Sequence, residues 1–209
     1  MEEKSKYFPK KCPLSNRPTM NEEKVEYYTT KKMWDNISHL IPKNKKIWEA
    51  CMLNSSSKSI QYLRELGFEV VGNKEWDCFE KDEGDIIITN IPFTGEIKIK
   101  ILERFLELDK PFIIILNSLN IYTAWFRELF KDNLNDIQLI IPRGKILFEE
   151  KINEEIVPCK KEASFYACYL AYKMEIPNKD LFLLSGNKYN LTKYKVYERS
   201  GKYKKRENK

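Results

Sequence analysis

The chain has 209 residues, of which 42% are apolar, enough for one ordinary domain with its own core plus extensions. No run of about 18 apolar residues occurs, which argues against a helical membrane span. Five scattered cysteines (Cys12, Cys51, Cys78, Cys159, Cys168), no Cys-x-x-Cys pair and a single histidine, His39, argue against a disulfide framework or a metal site and for a reducing, intracellular setting.

The net charge of +6 is unevenly placed. Residues 188–209 hold nine Lys or Arg against two acids, a charge of +7, which leaves residues 1–187 near −1. Tyr189, Tyr194, Tyr197 and Tyr203 interleave with these cations. Such a tail suits nucleic acid, with lysines on phosphates and tyrosines on bases, or equally a solvated terminus.

Residues 1–26 are polar, carry Pro9, Pro13 and Pro18, and read as an irregular arm. Met33, Trp34, Ile37 and Leu40 recur at helical spacing, and Pro42 ends that helix; His39 on it is expected at the surface. Residues 45–51 read as the first sheet strand and 52–58 as a polar loop. A helix over 59–66 is closed by Gly67, and 68–71 form the next strand. This strand–loop–helix–strand order is the first half of a nucleotide-binding α/β unit.

Ile86-Ile87-Ile88 reads as a strand covered on both faces, as in a parallel sheet. It runs into Thr89-Asn90-Ile91-Pro92-Phe93, at the carboxyl end where open α/β sheets hold ligands. An amphipathic helix is expected over 95–109, with Ile97, Ile101, Phe105 and Leu108 on one face and Leu102 beside them. Then come a buried strand at 111–116, a helix at 122–130 and a strand at 138–142. Residues 143–158 form a charged stretch where substrate could be gripped, and 163–174 a late antiparallel strand. The pattern predicts an α/β fold, a Rossmann-like doubly wound, mostly parallel sheet with a late antiparallel strand. Its expected organisation is an arm (1–26), a Rossmann-like domain (27–187) and a basic Tyr/Lys-rich tail (188–209).

Asn90-Ile91-Pro92-Phe93 resembles the Asn/Asp-Pro-Pro-Tyr/Phe motif of amino-methyltransferases. Its Ile in second place resembles the version in the ribosomal RNA adenine dimethylases. An exocyclic amino group is a poor nucleophile, because its lone pair is delocalised into the ring. The resemblance implies that Asn90 and the Ile91 carbonyl accept its two hydrogens, that Pro92 fixes the bend and that Phe93 stacks on the extruded base. The same four residues would also serve as a capped strand-to-helix turn.

The order Trp48-Glu49-Ala50, the serines after it, then Gly67-Phe68, resembles the S-adenosylmethionine-binding motif of the same class I adenine-N6 methyltransferases. The resemblance covers about 27–174 and is nearest in kind to proteins of phages and large DNA viruses, which would add a viral factory or virion to the cytoplasm as places to find the chain. It implies Glu49 at the methionine end of the cofactor, with Thr29 a looser match there. Asp77 and Phe79 would lie near its adenine, and Glu75 (or Asn73) near its ribose. The loop 52–57 departs from the family in having no glycine; Asn54 is its residue most tolerant of left-handed backbone. Ser55-Ser56-Ser57-Lys58-Ser59 lacks the glycines of a P-loop.

A different α/β nucleotide enzyme is a third reading with no motif behind it, and two functions are in the foreground. One is an S-adenosylmethionine-dependent methyltransferase acting on adenine N6 in DNA or RNA, drawing specificity from a short site, a structured RNA or a protein partner. The other is an inactive protein of the same fold that binds nucleic acid or serves assembly.

Overall fold

In the computed structural model of the chain, residues 27–51, 57–72, 78–93, 96–153, 155–160, 162–177 and 181–183 are described. Ten strands, β1 to β10, and four helices, α1 to α4, follow one another in them. The arm 1–26 and the tail 188–209 lie outside the described residues, as do Asn54, Asn73, Glu75 and Asp77.

The main sheet has seven strands: β2 (Ile47–Trp48), β3 (Val70–Val71), β4 (Ile86–Asn90), β5 (Phe112–Asn117), β6 (Ile137–Ile141), β9 (Ala167–Tyr172) and β10 (Leu181–Leu183). Their spatial order is β3-β2-β4-β5-β9-β6-β10. All neighbours are parallel except β9, which runs antiparallel between β5 and β6. The expected doubly wound sheet with a late antiparallel strand is present, with Ala167–Tyr172 as that strand.

Alternation along the central strands divides the core. On β4 and β5, Ile86, Ile88, Ile113 and Ile115 join Met33, Trp34, Ile37 and Leu63 on one face. Ile87, Phe112, Ile114 and Leu116 join Ile101, Leu102, Phe105, Phe126 and Phe130 on the other. Successive side chains of a strand point to opposite faces, so a continuous isoleucine run needs a helical layer on each side. Helices α1 (Lys31–Ile37) and α2 (Ser59–Glu65) supply one layer, and α3 (Ile97–Leu108) and α4 (Ala124–Phe130) the other. Buried polar groups within the first layer are paired: Trp34 Nε1 donates to Ser59 Oγ at 3.1 Å, and Tyr169 Oη donates to the Met33 carbonyl at 2.9 Å.

Three expectations need correction. The helix α3 turns Ile99, not Ile97, inward; Ile97 is exposed, while Ile101, Leu102 and Phe105 are buried as expected. Residues 118–122 form a 3₁₀ turn, and α4 starts only at Ala124, where Thr123 Oγ1 accepts from Phe126 N. The charged stretch after β6 contains two strands, β7 (Phe148–Ile152) and β8 (Glu155–Pro158). They pair antiparallel with each other and with β1 (Tyr28–Thr29) in a small second sheet. Tyr62 Oη of α2 donates to Glu149 of β7 at 3.1 Å and so ties this sheet to the helical layer.

Candidate active site

The chain passes from β2 outward to β3, then returns to the other side of β2 as β4. That reversal opens a crevice between the carboxyl ends of β2 and β4, the place where a doubly wound sheet holds its ligand. The residues that leave those two ends are Glu49-Ala50-Cys51 and Asn90-Ile91-Pro92-Phe93.

Glu49 is 4% exposed. Thr89 Oγ1 donates to its Oε1, and the Cys51 amide approaches the same oxygen at 3.4 Å. Burial pushes its pKa up to about 7, against the opposing pull of those two donors. Burial costs the charged form solvation, and two neutral donors repay part of it. Among the described residues no cation pairs with this carboxylate. Gly72, which ends β3 beside it, has φ +152°, and a Cβ there would sit 2.6 Å from the Glu49 carbonyl oxygen. Only glycine allows that approach.

Asn90 is the last residue of β4 rather than part of the turn. Its Nδ2 donates to the Tyr27 carbonyl at 2.9 Å, which orients the side chain. Its Oδ1 is buried and has no partner among the described residues. Phe93 is half-buried, with ring centroids of Phe165, Phe148 and Tyr27 at 4.8, 5.4 and 6.2 Å. Ile91 is buried and Pro92 half-buried. Thr29 is buried on β1 opposite Phe148, and its hydroxyl too is unpartnered among the described residues. Phe79 is 40% exposed, next to buried Cys78.

The structure therefore brings Glu49 and residues 90–93 to adjacent strand ends, and Tyr27 against Asn90 and Phe93. Phe79 lies beyond β3, past 73–77, which are outside the described residues.

Five residues at or beside the site were not expected there from sequence. Thr89 binds Glu49. Lys98, in the first turn of α3, donates to the Phe93 carbonyl at 3.1 Å and to Asn120 Oδ1 at 3.3 Å. Burial lowers the pKa of its ammonium. A lysine there opposes the helix dipole, and that mismatch was the available signal. Asn120, buried with its Nδ2 unpartnered among the described residues, follows β5. Cys51 and Cys78, far apart in sequence, are side-chain neighbours; their mutual hydrogen bond and burial hold the Cys51 thiol well above its usual range, so it is not a ready nucleophile.

No family model matches the sequence, and no curated protein matches it. Among solved structures, the chain is similar to a precorrin-6Y C5,15-methyltransferase from Geobacter metallireducens, at 13% identity over 70% of this chain and 93% of that one, TM-score 0.38. It is similar to a SAM-dependent O-methyltransferase from Thermotoga maritima, at 10% identity over 70% of this chain and 67% of that one, TM-score 0.37. It is also similar to a 16S rRNA N2 methyltransferase from T. thermophilus in complex with AdoMet and guanosine, at 10% identity over 75% of this chain and 42% of that one, TM-score 0.32.

Proposed function

We propose that this chain is an S-adenosylmethionine-dependent methyltransferase of class I type that methylates the N6 amino group of adenine in DNA or RNA. The observation that carries the reading is one juxtaposition. Among the described residues, a buried carboxylate without a cation, Glu49, and a buried amide oxygen without a donor, Asn90 Oδ1, leave adjacent parallel strands at the switch point.

The residues fit the cofactor. Its methionine end carries an ammonium, the partner that Glu49 lacks among the described residues, and Gly72 keeps the backbone beside Glu49 free of a side chain. In this reading Asp77 and Phe79 face the adenine, Glu75 the ribose, and Thr29 and Asn54 border the methionine end. The cofactor, when bound, supplies an electrophilic methyl group.

The chain's own part is orientation. Asn90 Oδ1 and the Ile91 carbonyl accept the two amino hydrogens of the base and draw its lone pair out of the ring. Tyr27 holds the Asn90 amide in the required direction through its carbonyl. The Phe93 ring offers a face to the base, and Lys98 fixes the Phe93 carbonyl. No general base is needed before transfer, because the nitrogen becomes acidic only after it is methylated.

Calorimetric titration with S-adenosylmethionine tests the first half; micromolar binding, about −8 kcal/mol, is expected. Asn90→Ala tests the second: transfer to adenine-containing strands should vanish while cofactor affinity stays near wild type. Full activity in that variant would refute the assignment. One specific observation favours a second reading, an inactive nucleic-acid-binding or assembly protein: the cofactor loop at 52–57 has no glycine. Absence of binding at millimolar cofactor would select it.

A further inference from the structure

Seven large apolar side chains are exposed among the described residues, and three of them, Leu119, Tyr122 and Tyr166, lie on segments that adjoin the strand end of Asn90. Leu119 is 68% exposed, Tyr122 86% and Tyr166 68%. Leu119 and Tyr122 lie on the 3₁₀ turn that leaves β5, the strand next to β4. Lys98 links that turn to the Phe93 carbonyl through Asn120. Tyr166 reaches the same place from the other side. Its carbonyl accepts from Ser118 N at 2.9 Å, and its neighbour Phe165 packs 4.8 Å from the Phe93 ring.

The backbone that holds these side chains out is pinned. Asn117 Oδ1 accepts from Leu119 N at 3.0 Å. The Asn120 carbonyl accepts from Thr123 N at 3.0 Å and from Thr123 Oγ1 at 2.5 Å. Tyr122 is therefore presented by a fixed turn, not by a loose one. Folding leaves these apolar surfaces in water, and a patch of this kind beside a ligand crevice marks an interaction surface.

Two lysines stand near these side chains. Lys145 Nζ stands 5.2 Å from the Tyr166 ring centroid, although Glu162 also lies 3.3 Å from it. The ammonium of Lys98 is half-buried and makes no ion pair among the described residues. Aromatic faces beside lysines bind unpaired bases regardless of sequence, because every base has a π-face. In a duplex those faces are already stacked.

We propose that Tyr122 and Tyr166 are a stacking shelf for the unpaired nucleotides that flank the target base, so that the substrate is a single strand rather than a duplex. The placement of the target base rests on the methyltransferase reading; the binding of the strand does not.

The test is fluorescence anisotropy of the full chain at fixed salt, without cofactor. The probes are labelled strands of about 16 nucleotides, the upper site size of a single-strand-binding module. A thymine-only DNA and a uracil-only RNA leave the adenine pocket unused, and their two affinities tell DNA from RNA. The thymine strand paired with its complement is the duplex arm. Single strands should bind more tightly than the duplex. Tyr122→Ala and Tyr166→Ala should each weaken single-strand binding about tenfold, in the range measured for loss of one base–aromatic stack. Tyr122→Phe and Tyr166→Phe should keep it, and duplex affinity should not move. Equal or tighter duplex binding, alanine variants that bind like wild type, or no binding of any strand would overturn the shelf. Cofactor titration separates the two ideas: tyrosine-dependent strand binding without cofactor binding removes the enzyme and keeps the shelf. Cofactor binding without tyrosine dependence removes the shelf alone.

Discussion

Glu49 offers a quantitative test of the site that needs no substrate. Its carboxyl has an ordinary pKa of 4.5 in the unfolded chain and about 7 in the folded one. Between those values the folded state holds a proton that the unfolded state has released. Stability therefore falls as pH rises through this window, by about 1.4 kcal/mol per unit and about 3 kcal/mol in all. Below pH 4.5 the effect is absent, and above 7 it is complete. Glu49→Gln keeps the shape and the Thr89 bond but cannot ionise. Urea unfolding of both proteins between pH 4.5 and 8 isolates the group, since other titrations cancel in the difference. Wild type should lose about 3 kcal/mol more than the variant across that range. Parallel profiles would show that the carboxylate is solvated or already paired and would refute the argument. The same linkage predicts that cofactor affinity falls about tenfold per pH unit below 7, because the bound ammonium requires the ionised form. In Glu49→Gln that pH dependence should disappear along with much of the affinity.

Gly72→Ala places a Cβ 2.6 Å from the Glu49 carbonyl at φ +152°, and should cost about 1–3 kcal/mol in urea unfolding and weaken cofactor binding. Lys98→Met removes two hydrogen bonds, to the Phe93 carbonyl and to Asn120, while keeping an unbranched apolar stem. Single-turnover methyl transfer should slow about tenfold or more, one lost charged hydrogen bond being about 1.5–3 kcal/mol, while calorimetric cofactor affinity holds. Leu102→Ala hollows the α3 face of the core and should lower unfolding free energy by about 2–5 kcal/mol, with no specific effect on the site. An Asn90→Asp variant should retain cofactor binding and keep reduced transfer, since a carboxylate still accepts the amino hydrogens while the Tyr27 carbonyl loses its donor and a charge enters a buried position.

The parts of the fold that could be read directly were those decided by burial on both sides. The isoleucine runs of β4 and β5 have no solvent face, so any register gives the same reading. The small sheet was invisible for the opposite reason. Its strands Phe148–Ile152 and Glu155–Pro158 are short, charged and half-exposed, and β1 reaches them across more than a hundred residues. Helix α3 shows a narrower failure. Isoleucines at 97, 99 and 101 allow two helical phases, and only packing against the sheet selects Ile99 over Ile97. The placement of Glu49 and Asn90 near the carboxyl ends of neighbouring strands was legible from the strand–loop pattern, although Asn90 was expected in the turn rather than on β4. Asn120 was not, because nothing in its sequence distinguishes it from a turn residue; its role comes from a lysine on another element.

The buried side-chain polar atoms without partners among the described residues are Thr29 Oγ1, Trp48 Nε1, Asn90 Oδ1 and Asn120 Nδ2. Folded proteins keep few such atoms, because each costs about 1–3 kcal/mol. Three of the four lie near the Asn90 turn: Asn120 shares Lys98 with the Phe93 carbonyl, and Thr29, on the small sheet, is two residues from the carbonyl that holds Asn90. Trp48 instead packs its indole in the α3 and α4 layer. Glu49, only partly compensated by its two donors, lies at the neighbouring strand end. Random imperfection would spread over the core, whose remaining buried hydroxyls and indole find partners. Stored cost at a crevice is what a ligand site looks like before its ligand arrives. On the proposed function, the cofactor's ammonium would face the ionised Glu49 and the amino group of the base would donate to Asn90 Oδ1, while the Asn120 Nδ2–H calls for an acceptor on the same ligands.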